Sequence, residues 1–162
     1  ATHNIKLKDQ SKILLAFYGD DFTGSTDALE FISRAGAEAV LFTDPPGPEQ
    51  LSRFPGLQAY GIAGLTRAMA PDQMEKILLP ASEKMKESRA AFIHYKVCST
   101  FDSSAATGSI GKAIDCGSSV FENVRYLSSI TNKLSTYKNS TNITEFLTIS
   151  LLSKGVSAKS AK

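Results

Sequence analysis

The run Ile13-Leu14-Leu15-Ala16-Phe17-Tyr18 is apolar and stops abruptly at Gly19. Two carboxylates follow, Asp20 and Asp21, then Phe22 and a small polar stretch, Thr23-Gly24-Ser25. Beyond it Ala28, Leu29, Ile32 and Ala35 recur at helical spacing. The pattern is strand, loop, helix. A core strand gains no packing from ending in two adjacent acids. In open α/β sheets, ligands bind outside the carboxyl ends of the strands. This stretch therefore points to a fold class and to the place of a site within it.

The alternation continues along the chain. A helix over 26–34, capped by Ser25 or Thr26, is followed by Gly36 as its stop. Strands are predicted over 39–42, 58–62 and 91–97. Prolines at 45, 46 and 48 make the segment after the second strand a loop. Pro71 opens a long helix over 72–88 with Met74, Ile77, Leu78, Ala81 and Met85 on one side. Pro80 lies inside that pattern and predicts a kink or break. A last helix is expected over 110–120. Strands alternating with helices imply an α/β fold: an open, mostly parallel sheet with helices on both faces, in three layers. Four strands leave that sheet incomplete. Residues 1–11 read as a flexible N-terminus and 12–121 as the α/β domain. From 122 to 162 roughly two residues in five are Ser, Thr or Asn, a bias of weakly structured sequence. That tail is expected to be irregular, with one helix near 144–152.

Composition excludes several classes. A net charge of +2 gives no basis for nucleic-acid or anionic-membrane binding. No apolar run approaches the roughly 20 residues that span a bilayer. Residues 1–12 lack the apolar core of a secretory signal, and two cysteines are too few for a disulfide framework, so a cytoplasmic setting is expected. The Asn-X-Thr/Ser triplets at Asn139 and Asn142 are read as chance. There is no phosphate-loop motif, no dinucleotide fingerprint, no paired C-x-x-C and no H-E-x-x-H, and the two histidines suggest no metal site.

Three polar clusters fall where strands should end: Asp20, Asp21, Thr23, Gly24 and Ser25; Thr66 and Arg67; and Lys96, Ser99, Thr100, Asp102 and Ser103. In a parallel sheet these ends share one edge, so the clusters can converge. Arg67 and Lys96 suit an anion, the hydroxyls suit a polyol, and an Asp can orient or deprotonate a substrate hydroxyl. Amides near Gly24, at the start of the first helix, can meet an oxyanion. Alternation aims Asp20 and Asp21 in opposite directions, so only one faces the ligand directly. Each residue also has a plainer reading. Asp20 or Asp21 can cap the helix, Arg67 and Lys96 can be solvated surface cations, and Ser99 to Ser104 can form a turn with capping hydroxyls. His94 reads as packed or solvent-facing, and Cys98 and Cys116 as small apolar residues.

The stretch Tyr18 to Leu29 resembles the start of the four-carbon acid sugar kinase family. So does Gly64-Leu65-Thr66-Arg67 followed by Pro71. His94 to Ser104, with Gly108-Ser109-Ile110-Gly111-Lys112-Ala113-Ile114-Asp115 after it, is similar to the 3-oxo-tetronate kinase branch. The resemblance covers about 12–121. It implies an N-terminal domain that binds a small-molecule sugar acid and a C-terminal domain that binds ATP with Mg2+. Together these would phosphorylate the terminal hydroxyl of 3-oxo-tetronate, threonate or erythronate. Asp20 and Asp21 would be catalytic, with Thr23, Gly24, Arg67, Lys96, Ser99, Thr100, Asp102 and Ser103 on the substrate. Family members are far longer, so a truncated chain is expected that binds no ATP or Mg2+ by itself, with 122–162 as replacement sequence. Such a chain would be a sugar-acid-binding part, or else an inactive fragment or weak anion binder. An exposed sheet edge would favour homo-oligomers.

Overall fold

The computed structural model describes residues 13–100, 102–128 and 147–152; the expected flexible N-terminus and the two Asn-X-Thr/Ser triplets lie outside them. Strand β1 (Leu15–Gly19) leads into helix α1 (Phe22–Arg34). Strand β2 (Ala39–Phe42) and a one-turn helix α2 (Pro48–Leu51) follow. Strand β3 (Ala59–Ala63) passes through a 3-10 turn (Thr66–Ala68) into helix α3 (Pro71–Glu87). Strand β4 (Phe92–Lys96), helix α4 (Ile110–Val120), and strands β5 (Asn123–Ser128) and β6 (Leu147–Leu152) complete the described elements.

All six strands join one sheet in the order β2-β3-β1-β4-β6-β5. The first four are mutually parallel, and β6 is antiparallel to both β4 and β5. From β1 the chain crosses to β2 in one direction, and from β3 to β4 in the other. With right-handed crossovers this puts α1 on one face and α3 on the opposite face. Helix α1 packs over β1, β2 and β3, while α4 packs beside α3. The α/β sheet is therefore mostly parallel, with helices on both faces, as its alternation predicts.

Strand alternation builds the two sides of the core. Ala16, Tyr18, Tyr60, Ile62, Ile93 and Tyr95 meet Met74, Leu78, Ala81 and Met85 of α3 and Ile110, Ala113, Cys116 and Val120 of α4. On the α1 face the Phe17 ring lies flat against Gly61, where an added Cβ would stand 2.1 Å from it. Glycine there lets adjacent strands share that ring.

Three expectations are corrected. Helix α3 runs unbroken through Pro80. Pro80 sits on the solvent side, so the carbonyl that loses its partner can bond to water. Burial of Met74, Leu78, Ala81 and Met85 on the other side holds the turn together. Helix α1 begins at Phe22, four residues before the expected start. The expected helix over 144–152 is a strand over Leu147–Leu152. Leu147-Thr148-Ile149-Ser150-Leu151 alternates apolar and polar with period two, and β4 offers an edge for it to pair with. Among the described residues no helix is long and apolar enough to cross a membrane.

The two sides of α3 are expected to respond oppositely to truncation. Leu78→Ala should cost about 2–5 kcal/mol of stability, whereas Pro80→Ala should be neutral or stabilising by up to about 3 kcal/mol. Urea unfolding of both variants measures this. A Pro80→Ala variant markedly less stable than wild type contradicts the account of α3.

Candidate functional site

The sheet register levels the ends of three strands. Gly19 lies opposite Ala63 on one side and Lys96 on the other. The next residue, Asp20, is held from both neighbours. Its amide donates to the Lys96 carbonyl at 3.0 Å, and its carbonyl accepts from the Arg67 amide at 3.1 Å. The first turn of α1 presses onto this strand end. A Cβ on Gly19 would stand 2.0 Å from Ser25 Oγ, so only glycine fits there.

Asp21 caps α1: its Oδ2 accepts from the Gly24 amide at 3.2 Å. Ser25 Oγ turns back to donate to the Asp21 carbonyl at 2.6 Å, which is why it is not the cap. The helix start is thus already occupied by a carboxylate. The Gly24 amide, one of those expected to meet a ligand oxyanion, is thus taken by Asp21. Asp20 is 4% exposed and Asp21 9%. Each keeps a buried Oδ1 without a hydrogen-bond partner among the described residues. A buried, unsatisfied carboxylate oxygen is costly. Two side by side at a sheet edge mark a place built to accept donors from elsewhere.

The cations stand on either side. Lys96 Nζ lies against Gly24, where an added Cβ would be 2.3 Å from Nζ and 2.5 Å from Asp21 Oδ1. Arg67 leaves the turn after β3 and donates from Nη1 to Cys98 Sγ at 2.8 Å and to Thr100 Oγ1 at 3.2 Å. Thr100 donates in turn to Asp102 Oδ2 at 2.9 Å. The loop after β4 is clamped to that turn by Gly108. With φ of +61°, Gly108 sits where a Cβ would meet the Arg67 carbonyl, and its amide donates to the Met69 carbonyl at 2.9 Å. Beneath the acids, Tyr18 and Tyr95 stack at 5.8 Å, and the fully buried Thr66 hydroxyl bonds that of Tyr95 at 3.0 Å.

The predicted residues thus separate into groups. Asp20, Asp21, Gly24, Arg67 and Lys96 come together, and Thr100 and Asp102 join through Arg67. Thr23 and Ser99 are exposed beside them. Ser103 is committed elsewhere: its Oγ accepts from the Ile110 amide at 3.0 Å, at the start of α4. His94 is half-buried within β4, and burial, aided by Lys96, pushes its pKa down to about 4. Sequence reasoning missed Cys98, taken as a plain apolar residue but in contact with Arg67, and the tyrosine floor. A cleft of about 490 Å3 beside the cluster is lined by apolar groups such as Phe22, Leu65 and Ile77, and by none of the four charged residues.

Burial raises the Asp20 pKa from 3.8 to about 6. Asp21 adds to the rise, and the Cys98 amide, Lys96 and Arg67 oppose it. The folded chain therefore holds a proton that the unfolded chain has released between those values. This contribution to stability is full below about pH 4 and is lost as pH rises through 6. Asp20→Asn is expected to stabilise the fold by about 2–3 kcal/mol at pH 7 and to change little at pH 4. Denaturant titrations of both proteins at the two pH values test this, and equal differences at both would refute it.

Comparison with known proteins places the chain among sugar-acid kinases and related domains by similarity. A 3-oxo-isoapionate kinase of Paraburkholderia graminis is 49% identical over 105 residues, covering 65% of this chain and 22% of its own. A 3-oxo-tetronate kinase of Salmonella typhimurium is 35% identical over 96 residues, 59% of this chain and 22% of its own. The chain thus spans about a fifth of the length of these curated relatives. Among solved structures, one described as a putative tRNA synthase from Salmonella typhimurium matches with TM-score 0.56 and 33% identity, covering 63% of this chain and 24% of that one. A domain of unknown function from Bordetella bronchiseptica, crystallised with bound citrate as a domain-swapped dimer, shares the fold at TM-score 0.52 and 23% identity, covering 63% of this chain and 24% of that one. The model of the sugar-binding N-terminal domain matches residues 15–131, which takes in all three converging strand ends, and the chain belongs to that family.

Proposed function

We propose that this chain is the sugar-acid-binding part of an ATP-dependent kinase that phosphorylates the terminal hydroxyl of four-carbon acid sugars of the 3-oxo-tetronate, threonate or erythronate type. The 49% identity to a 3-oxo-isoapionate kinase adds 3-oxo-isoapionate to the candidate substrates. What carries the reading is the convergence of two unsatisfied buried carboxylate oxygens with two cations at one sheet edge. Cations suit the substrate carboxylate, with the Arg67 guanidinium as the planar, bidentate partner. Unpaired Oδ1 atoms suit donor hydroxyls, and a carboxylate raised to about 6 is matched to accepting a hydroxyl proton near neutral pH. In this reading Asp20 and Asp21 are the catalytic acids. Thr23, Gly24, Lys96, Ser99, Thr100 and Asp102 form the substrate side with Arg67, without Ser103, whose hydroxyl accepts from the Ile110 amide.

The relatives are named as kinases, whose co-reactants are ATP and Mg2+ in the implied family. Arg67 and Lys96 flank the acids, and among the described residues no group of three His, Cys, Asp or Glu is placed to hold a metal ion. The part proposed for this chain is to hold and orient the acid and to receive the proton. A cytoplasmic setting suits the free thiols Cys98 and Cys116. Self-association through the edge strands β2 or β5 is part of the same proposal, and light scattering that reports a monomer at every concentration removes it.

Calorimetry with threonate and erythronate tests the site. Saturable binding is expected, weakened about 10- to 100-fold in Arg67→Ala or Lys96→Ala, the cost of losing a charged hydrogen bond. The chain alone is expected to transfer no phosphate from ATP. Heats identical in wild type and both variants argue for a chain without this site, and tetronate phosphorylation by the purified chain overturns the division of labour.

A further inference from the structure

An arginine beside a buried, unsatisfied aspartate ordinarily closes on it, because the planar guanidinium and the carboxylate make paired, charge-assisted hydrogen bonds. Here that closure does not occur. The Arg67 amide is bonded to the Asp20 carbonyl, so the two residues are neighbours. Yet Arg67 is absent from the ion pairs formed among the described residues, and Asp20 Oδ1 remains unpartnered. The guanidinium is turned instead to Cys98, whose sulfur accepts from Nη1 at 2.8 Å, with Thr100 as second acceptor at 3.2 Å. Cys98 is buried, and its own amide faces the Asp20 carboxylate. One residue therefore stands between the cation and the carboxyl, main chain toward Asp20 and side chain toward Arg67.

We propose that Cys98 is a positioning residue whose sulfur holds Arg67 away from Asp20, so that cation and acid stay free to engage one ligand. The choice of atom matters. Sulfur is a weak acceptor, so a substrate carboxylate can take the guanidinium from it at small cost. A carboxylate in that place would compete with the substrate. The inference deepens the function proposed above and rests on it for the identity of the ligand, but the geometry it describes belongs to the free protein.

That allows a test without ligand: the titration of the Asp20 side-chain carboxyl followed by NMR in the full chain. The groups facing Asp20 are Asp21 from the start of α1, Arg67 from the turn after β3, Lys96 and Cys98 from the end of β4, and the hydroxyls of Tyr18 and Tyr95 below. In Cys98→Ala the guanidinium loses its nearer acceptor, keeps only the exposed Thr100 hydroxyl, and closes on Asp20, moving the midpoint down by about 1–3 pH units, the effect of an adjacent arginine on an aspartate. Cys98→Ser keeps an acceptor in place and restores the wild-type midpoint. In the wild-type background Arg67→Met raises the midpoint by well under about one pH unit, because the cation, held off, is the smallest of the influences on Asp20. A Cys98→Ala midpoint equal to wild type overturns the proposal. So does a rise of about one pH unit or more in Arg67→Met, and this second variant decides the matter if Cys98→Ala fails to fold. Threonate calorimetry on the same proteins separates the two claims. Binding with an unmoved Asp20 leaves the function standing and removes the role of Cys98. A shifted Asp20 without threonate binding does the reverse.

Discussion

The main chain of Asp20 is where the molecule is tied together. Its amide is bonded to the end of β4 and its carbonyl to the turn after β3, so three segments distant in sequence are fixed to one residue. Because the strands are parallel and level at Gly19, Ala63 and Lys96, everything that follows each strand emerges at one height. The first turn of α1 can then press directly on the strand end, provided residue 19 has no side chain. The site is a consequence of register before it is a matter of side-chain chemistry.

Electrostatics runs against stability at this point. Burial disfavours the charged form of Asp20, which holds its proton to about 6. Ion pairs such as Arg34 with Glu30 and Lys112 with Glu75 lie at exposed or half-exposed positions. At the sheet edge Asp20 and Asp21 stand beside Arg67 and Lys96 without an ion pair between them. Natural proteins concede stability at functional sites and recover it in the core. Here the two-helix layer over Tyr18, Tyr60, Ile93 and Tyr95 is where it is recovered.

Much of this was legible in the sequence, because periodicity reports burial. Strands β1 to β4 and helix α4 were predicted within a residue or two, since each carries a clean apolar pattern bounded by Gly, Pro or polar turns. The convergence of Asp20, Arg67 and Lys96 followed from parallel topology alone. What stayed hidden depended on atoms meeting in space. The start of α1 hinged on whether Asp21 capped the Gly24 amide or Ser25 capped an amide two or three residues further on, and either residue type is a good cap. Pro80 looked like a break because local propensity does not register the burial of Leu78 and Ala81 across from it. Strand β6 was obscured by Ser and Thr, which suit a half-exposed strand as well as a loop. Cys98 looked inert because its importance lies in what stands 2.8 Å away.

The chain contains five tyrosines and no tryptophan. Two of the five, Tyr18 and Tyr95, are stacked directly below the acids and joined through Thr66. Tyrosine emission in this protein is therefore not swamped by indole, and two of its five sources lie in the floor of the site. Whatever changes the charge or hydration of Asp20 changes the surroundings of those two rings, so the protein carries an intrinsic optical reporter where events at the sheet edge are felt first.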